Sequence, residues 1–246
     1  MKNARWLLAV LLLPLAAPAA EVRVAVAANF KPCLEALAPA FEHTLVVISG
    51  STGHHHAQIV AGAPFDVFLA ADVKRPADLE QRGLAVAGTR FTYAGGELVL
   101  WWPEPPNPSP QTICEALSSL ELIHLALANP RTAPYGVAAM EVLDACAPAP
   151  RPGVVTGQSV GQAWQFVATG NAQAGFVARS QMVGREVGLI LPAPPDMHAP
   201  IDQQAVLLTS AREPDAARAF LDFLRGDQAR VTIAAFGYSV APTSEP

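Results

Sequence analysis

Hydrophobic positions along this chain change period in a regular rhythm. After residue 20, EVRVAVAAN puts Val22, Val24 and Val26 on one face at the two-residue period of a strand, then runs apolar. Pro32 to Glu42 follows with helical spacing, its proline early, where a missing N–H costs nothing. TLVVISG reads as a second strand, the residues after Gly53 to about Ala61 as a helix, and FDVFLAAD as a third strand. PADLEQRG reads as a short helix closed by Gly83. GGELVLWWP predicts one further strand and leads into PEPPNPSPQ, which interrupts the rhythm. A second series then begins: strand IHLALANP, a helix from about Gly136 to Cys146, strand GVVTG, helix VGQAWQFVATG and strand AQAGFVAR. QQAVLLTS returns as a strand, and PDAARAFLDFLRGDQARVTIAAFG reads as one closing helix.

Strands alternating with helices predict an α/β fold of mostly parallel sheets flanked by helices. The proline break and the late return strand predict two lobes with a ligand cleft between them. Residues 20–100 with 206–246 make lobe I, and 101–205 make lobe II. Ahead of both, Lys2 and Arg5 precede an apolar run from Trp6 to Leu15 and then small residues. This pattern predicts a signal peptide over 1–19, cleaved after Ala19 or Ala20. The run is short for a membrane span, and no cysteine follows to carry a lipid. The mature protein is therefore expected to be exported to the periplasm.

Composition narrows the function. A chain 51 % hydrophobic and 15 % charged can bury sizeable cores and is not a disordered polymer. Lys and Arg number 16 against 21 Asp and Glu, a formal net charge of −5, and loss of the leader removes two of the cations. Such a chain has no electrostatic footprint for nucleic acid. Any site for an anion must be built locally. Of Cys33, Cys114 and Cys146, at least one stays unpaired; export permits a disulfide, and Cys114 with Cys146 is the expected pair.

Four strand-to-helix junctions are rich in small or polar residues: AANF (Ala27 to Phe30), GSTG (Gly50 to Gly53), APYG (Ala133 to Gly136) and GQSV (Gly157 to Val160). In open α/β sheets ligands sit beyond the carboxyl ends of strands, where helix starts offer free N–H groups and positive dipole. Converging on one cleft, these starts would cage an anion without Lys or Arg. Singly, each also reads as an ordinary N-cap. Two other chemistries compete. His54, His55 and His56 suggest a divalent-metal binder. Neighbours on a helix point about 100° apart, however, and helical ligand pairs need i, i+3 or i, i+4 spacing. GQSVG matches the G-x-S-x-G elbow of serine hydrolases, with Ser159 as nucleophile and Asp196 and His198 downstream. That acid and base stand only two residues apart, and no His-Gly-Gly-Gly motif precedes them. Asp66 and Asp72 read as turn caps, and Arg131 as the best cationic candidate for the cleft, against the default of a solvated loop arginine.

VRVAVAANF, GSTG, GAPFDVFLAAD, RFTYAGGELVLW, LALANPRTAPYG, GQSV, QFVATGNAQAGFVARSQ and QQAVLL occur in that order. Together they closely resemble the periplasmic molybdate-binding proteins of ABC importers, from Val22 to about Gly237. The resemblance implies the two-lobed type II solute-binding fold, molybdate or tungstate as ligand, no cofactor, no catalysis, and a monomer that meets a membrane permease. It implies ligand contacts at Ala28 and Asn29, with Asn29 the stronger donor, at Ser51 and Thr52, at Tyr135, and at Val160 through its N–H. A tyrosine of some members is replaced here by Ala178. Where the family usually has Lys and then apolar or aromatic residues, this chain has His54 to His56. Their protonation, with an ordinary pKa near 6.5, is expected to tighten anion binding at acidic pH.

Overall fold

The strands are shared between two five-stranded sheets, one per lobe. The computed structural model describes residues 20–240 apart from Glu186, so the signal peptide expected over 1–19 lies outside the described residues. In the first sheet β2 (Thr44–Gly50), β1 (Glu21–Ala27), β3 (Val67–Ala70), β10 (Ile201–Leu207) and β4 (Phe91–Gly96) lie in that order. In the second, the order is β7 (Gly153–Gly157), β6 (His124–Ala128), β8 (Ala174–Ala178), β5 (Leu98–Trp102) and β9 (Leu189–Pro192).

Each sheet is mixed. β1 runs parallel to β2 and β3, and β6 parallel to β7 and β8, as the β-α rhythm requires. β10 and β5 run antiparallel to both of their neighbours. The reason is topological. The parallel strands point at the cleft, so a strand entering a lobe from the cleft must run the opposite way. GGELVLWWP is accordingly two pieces: Gly95 and Gly96 end β4 in the first lobe, and Leu98 opens β5 in the second. The first lobe therefore gives way at Glu97 rather than at residue 100, and all of β10 belongs to it, including residues 201–205. The segment reads as one strand because a single residue, Glu97, separates the end of β4 from the start of β5.

Helices α1 (Lys31–Leu37), α2 (Thr52–Val60) and α3 (Lys74–Gln81) follow β1, β2 and β3. In the second lobe, α4 (Ile113–Leu117) precedes β6, α5 (Pro134–Cys146) follows it, and α6 (Val160–Ala168) follows β7. The closing segment is two helices, α7 (Pro214–Arg225) and α8 (Asp227–Ala235), because Gly226 between them is extended, with ψ 155°. Glycine is a poor helix former, and here it breaks the apolar stripe. Phe30, Leu34, Leu69 and Phe220 centre the first core; Leu98, Leu100, Leu125 and Phe176 centre the second. Each such burial contributes about 1.5–3 kcal/mol. A disulfide joins Cys114 in α4 to Cys146 at the end of α5. Cys33 is a buried free thiol, its pKa pushed up to about 12 by burial.

Candidate functional site

The four junctions converge. A small cavity lies between the lobes, lined by Ala28, Asn29, Ser51, Thr52, Tyr135 and Val160. Ala27, Ala71, Ala133 and Pro134 supply apolar wall, and no charged side chain lines it. Ala28 and Asn29 follow β1, Ser51 and Thr52 open α2, Tyr135 opens α5, and Val160 opens α6. All six residues singled out in the sequence are thus brought together. Burial pushes the pKa of Tyr135 well up, so the wall stays uncharged.

Local bonding decides which donors are free. Ser51 is the N-cap of α2, yet its hydroxyl makes no capping bond. Thr52 Oγ1 accepts the Ala71 N–H at 3.0 Å, which leaves the Thr52 proton available to a ligand. The N-cap of α5 is Ala133, which has no hydroxyl to offer. First-turn N–H groups have no intrahelical acceptor, so those of Thr52, Tyr135 and Val160 are donors by position. Ser159 is different: its Oγ accepts the Gln162 N–H at 3.4 Å, an ordinary cap. Ala28 spends its N–H on Gly50 O at 2.9 Å.

Asn29 departs from expectation. Its side chain turns away into a buried network, where Nδ2 donates to Gln203 Oε1 at 2.8 Å and to Tyr238 Oη at 3.1 Å. Tyr93 Oη donates to the same Gln203 oxygen at 3.1 Å. Tyr238 Oη lies 2.9 Å from both Asn29 O and Ser180 Oγ, and Ser180 comes from the second lobe. This network ties the lobes together behind the cavity and holds the Asn29 main chain at its edge. Sequence reasoning missed Tyr93, Ser180, Gln203 and Tyr238. None of the four left a distinctive signal: even Gln203, wholly buried, sits between Asp202 and Gln204 in the polar half of β10.

The three histidines part company, as the helical turn requires. His54 faces a wider basin of about 640 Å³ at the cleft mouth, with Lys31 and Arg185. The Arg185 guanidinium also lies 4.9 Å from the centre of the Trp164 ring. His55 is only 1 % exposed, with Nδ1 3.1 Å from Gln58 Oε1 and Nε2 3.2 Å from Val26 O. His56 Nε2 lies 2.7 Å from Asp78 Oδ2 on the surface. No group of three or more His, Cys, Asp or Glu among the described residues could hold a metal ion. Of the three histidines, only His54 faces the cleft.

Burial lowers the pKa of His55, with Gln58, Val26 and the neighbouring His54 as lesser influences. The folded protein thus resists a proton that the unfolded chain accepts from about pH 6.5 downward. This contribution is whole above that pH and is lost as pH falls towards the lowered folded value. His55→Gln should flatten the loss of stability between pH 7.5 and 5.5 in urea titrations. Equal slopes in the variant and the parent would refute this.

The remaining candidates serve structure. Asp196 and His198 sit on the connection between β9 and β10, with His198 Nδ1 2.8 Å from Ala199 O, and neither lines the cavities that Ser159 lines. Ser159 thus has no triad partner there, and its backbone is ordinarily extended (φ −146°, ψ 167°) rather than a strained elbow. Asp66 accepts the N–H groups of Arg23 and Arg212, each at 2.7 Å, and Asp72 that of Arg75 at 3.0 Å. Arg131 lines a separate groove with Arg75, outside the uncharged cavity.

The model of the family described as bacterial extracellular solute-binding protein matches residues 22–239. The molybdate-binding protein ModA of Rhodobacter capsulatus is 44 % identical over 232 residues, 92 % of this chain and 91 % of that protein. ModA of Azotobacter vinelandii is 46 % identical over 238 residues, 93 % of this chain and 94 % of its own length. The solved Azotobacter vinelandii periplasmic molybdate-binding protein is similar with a TM-score of 0.83 at 38 % identity, over 90 % of this chain and 100 % of that one.

Proposed function

The chain belongs to the bacterial extracellular solute-binding protein family, and on that premise we propose that it captures molybdate or tungstate and delivers it to an ABC importer. The observation that carries this reading is the cavity itself. Hydroxyls of Ser51 and Thr52 and first-turn N–H groups from α2, α5 and α6 meet around a space with no charged wall. Such donors suit a tetrahedral dianion. Each hydrogen bond to it is charge-assisted, and the helix dipoles point their positive ends at it. Without a Lys or Arg, binding rests on geometry. A rigid cage that fits the larger oxyanions cannot shrink onto sulfate without losing hydrogen bonds.

The relatives named molybdate-binding protein supply the choice of oxyanion. The expected leader puts the protein in the periplasm, where it acts as a monomer on its way to the permease. No helix of the described residues is long and apolar enough to cross a membrane. Nothing is catalysed; the lobes close on the anion and its water shell is replaced.

A thermal-shift panel of molybdate, tungstate, sulfate, phosphate, zinc and copper tests this. At one hundred times its dissociation constant, molybdate should stabilise the folded state by about 2.7 kcal/mol. A response to metals alone, or to no oxyanion, would remove the reading.

A further inference from the structure

Beside the cavity the lobes meet main chain to main chain. Gly53 N–H, in the first turn of α2, donates across the cleft to Thr132 O at 2.7 Å. Thr132 lies between β6 and α5, immediately before the residues that line the cavity from the second lobe. A Cβ on Gly53 would stand 2.8 Å from Thr132 O, 2.9 Å from Thr132 Cα and 3.0 Å from Arg75 Nη2. Two of those atoms are backbone of the opposite lobe and cannot swing aside as a side chain can.

Gly53 does not need to be glycine for its own conformation. It is helical and is not among the glycines with positive φ. Alanine is the better helix former. Within its own lobe the one close neighbour is Arg75 Nη2, the far end of a flexible side chain. The unyielding contacts are backbone atoms of the other lobe.

We propose that Gly53 is the closure-determining residue of the cleft. Its missing Cβ lets the Thr132 carbonyl dock on the α2 N–H, and this bond latches the lobes shut over the cavity. The proposal rests on the capture reading above. In an open form the Gly53 N–H is a solvated first-turn donor. In the closed form it is paired, and Thr52 beside it faces the ligand. Ligand and latch therefore favour the same state, and observed affinity scales with the fraction of protein able to close.

Gly161 provides a matched control. It is likewise the second residue of a helix, α6, and faces the opposite lobe. There a Cβ would meet Ala28 Cβ at 3.4 Å and Ser159 Oγ at 3.5 Å, ordinary contact distances.

The experiment compares wild type, Gly53→Ala and Gly161→Ala by calorimetric titration, small-angle scattering with and without anion, and urea unfolding without anion. The titrant is whichever of molybdate, tungstate, sulfate or phosphate compacts the wild type. Gly53→Ala should bind about tenfold or more weakly and compact less, because its closed state is disfavoured by that factor. Its ligand-free stability should equal or exceed that of wild type. Gly161→Ala should bind within about twofold of wild type, since ordinary contact leaves the closed state nearly unperturbed. Unchanged affinity and compaction in Gly53→Ala overturns the latch. So does an equal loss in Gly161→Ala, or a fall in ligand-free stability of Gly53→Ala. A wild type that compacts with sulfate alone removes the molybdate reading and leaves the Gly53 comparison intact with sulfate. A wild type that compacts with none of the four overturns both.

Discussion

Thr52→Ala is expected to weaken oxyanion binding by roughly ten- to a hundredfold, because a hydrogen bond to a charged group contributes about 1.5–3 kcal/mol. The same change should destabilise the ligand-free protein. Thr52 Oγ1 is the acceptor for the Ala71 N–H, and Thr52 is only 1 % exposed. Leaving that buried N–H unpaired costs about 1–3 kcal/mol. Ser51→Ala separates the two effects. The Ser51 hydroxyl lines the cavity but makes no capping bond. Its loss should weaken binding by a similar factor while ligand-free unfolding stays put. Calorimetric titration with molybdate and urea unfolding of both variants check this. Full affinity in Thr52→Ala would place the ligand elsewhere.

Removing the disulfide carries the largest expected loss of stability. Cys114 and Cys146 are separated by 32 residues, and their bond closes a loop that spans β6 and α5. Opening a loop of that length frees the unfolded chain and costs about 3–4 kcal/mol. For a protein of this size that lowers the melting temperature by roughly 6–16 °C. The double variant Cys114→Ala/Cys146→Ala, followed by scanning calorimetry, measures it. The bond lies in α4 and at the far end of α5, whereas the cavity touches only the start of α5. Oxyanion affinity at 25 °C should therefore survive. A melting temperature within about 3 °C of the parent would show that the reduced protein retains the constraint by packing alone. Cys33 offers no replacement partner, being wholly buried in the other lobe.

Much of this architecture was legible in the chain because its signals are local. β2 and β7 occur over the residues their apolar runs predict. The junction residues of four β-α units announced themselves by composition. The histidines were separable on helical geometry before any coordinates. The misreadings fall where a local pattern cannot see a distant partner. GGELVLWWP crosses between lobes with only Glu97 between its two strands. β9 and α4 are too short to show a period. One apolar stripe over α7 and α8 hides the break at Gly226.

The site divides in the same way. The residue types at Ser51, Thr52, Tyr135 and Val160, and their places at helix starts, were set by sequence alone, because caps and first-turn donors are properties of a few adjacent residues. Three things were left to the tertiary structure. It turned the Asn29 amide into the network with Gln203 and Tyr238, 174 and 209 residues away. It sent His55 inward while leaving His54 at the cleft mouth. It set Gly53 against Thr132, so that a glycine unremarkable in its own helix meets backbone from the other lobe. Which donors a segment can offer is a local property of the chain; which of them stay free depends on what the opposite lobe brings within hydrogen-bonding distance.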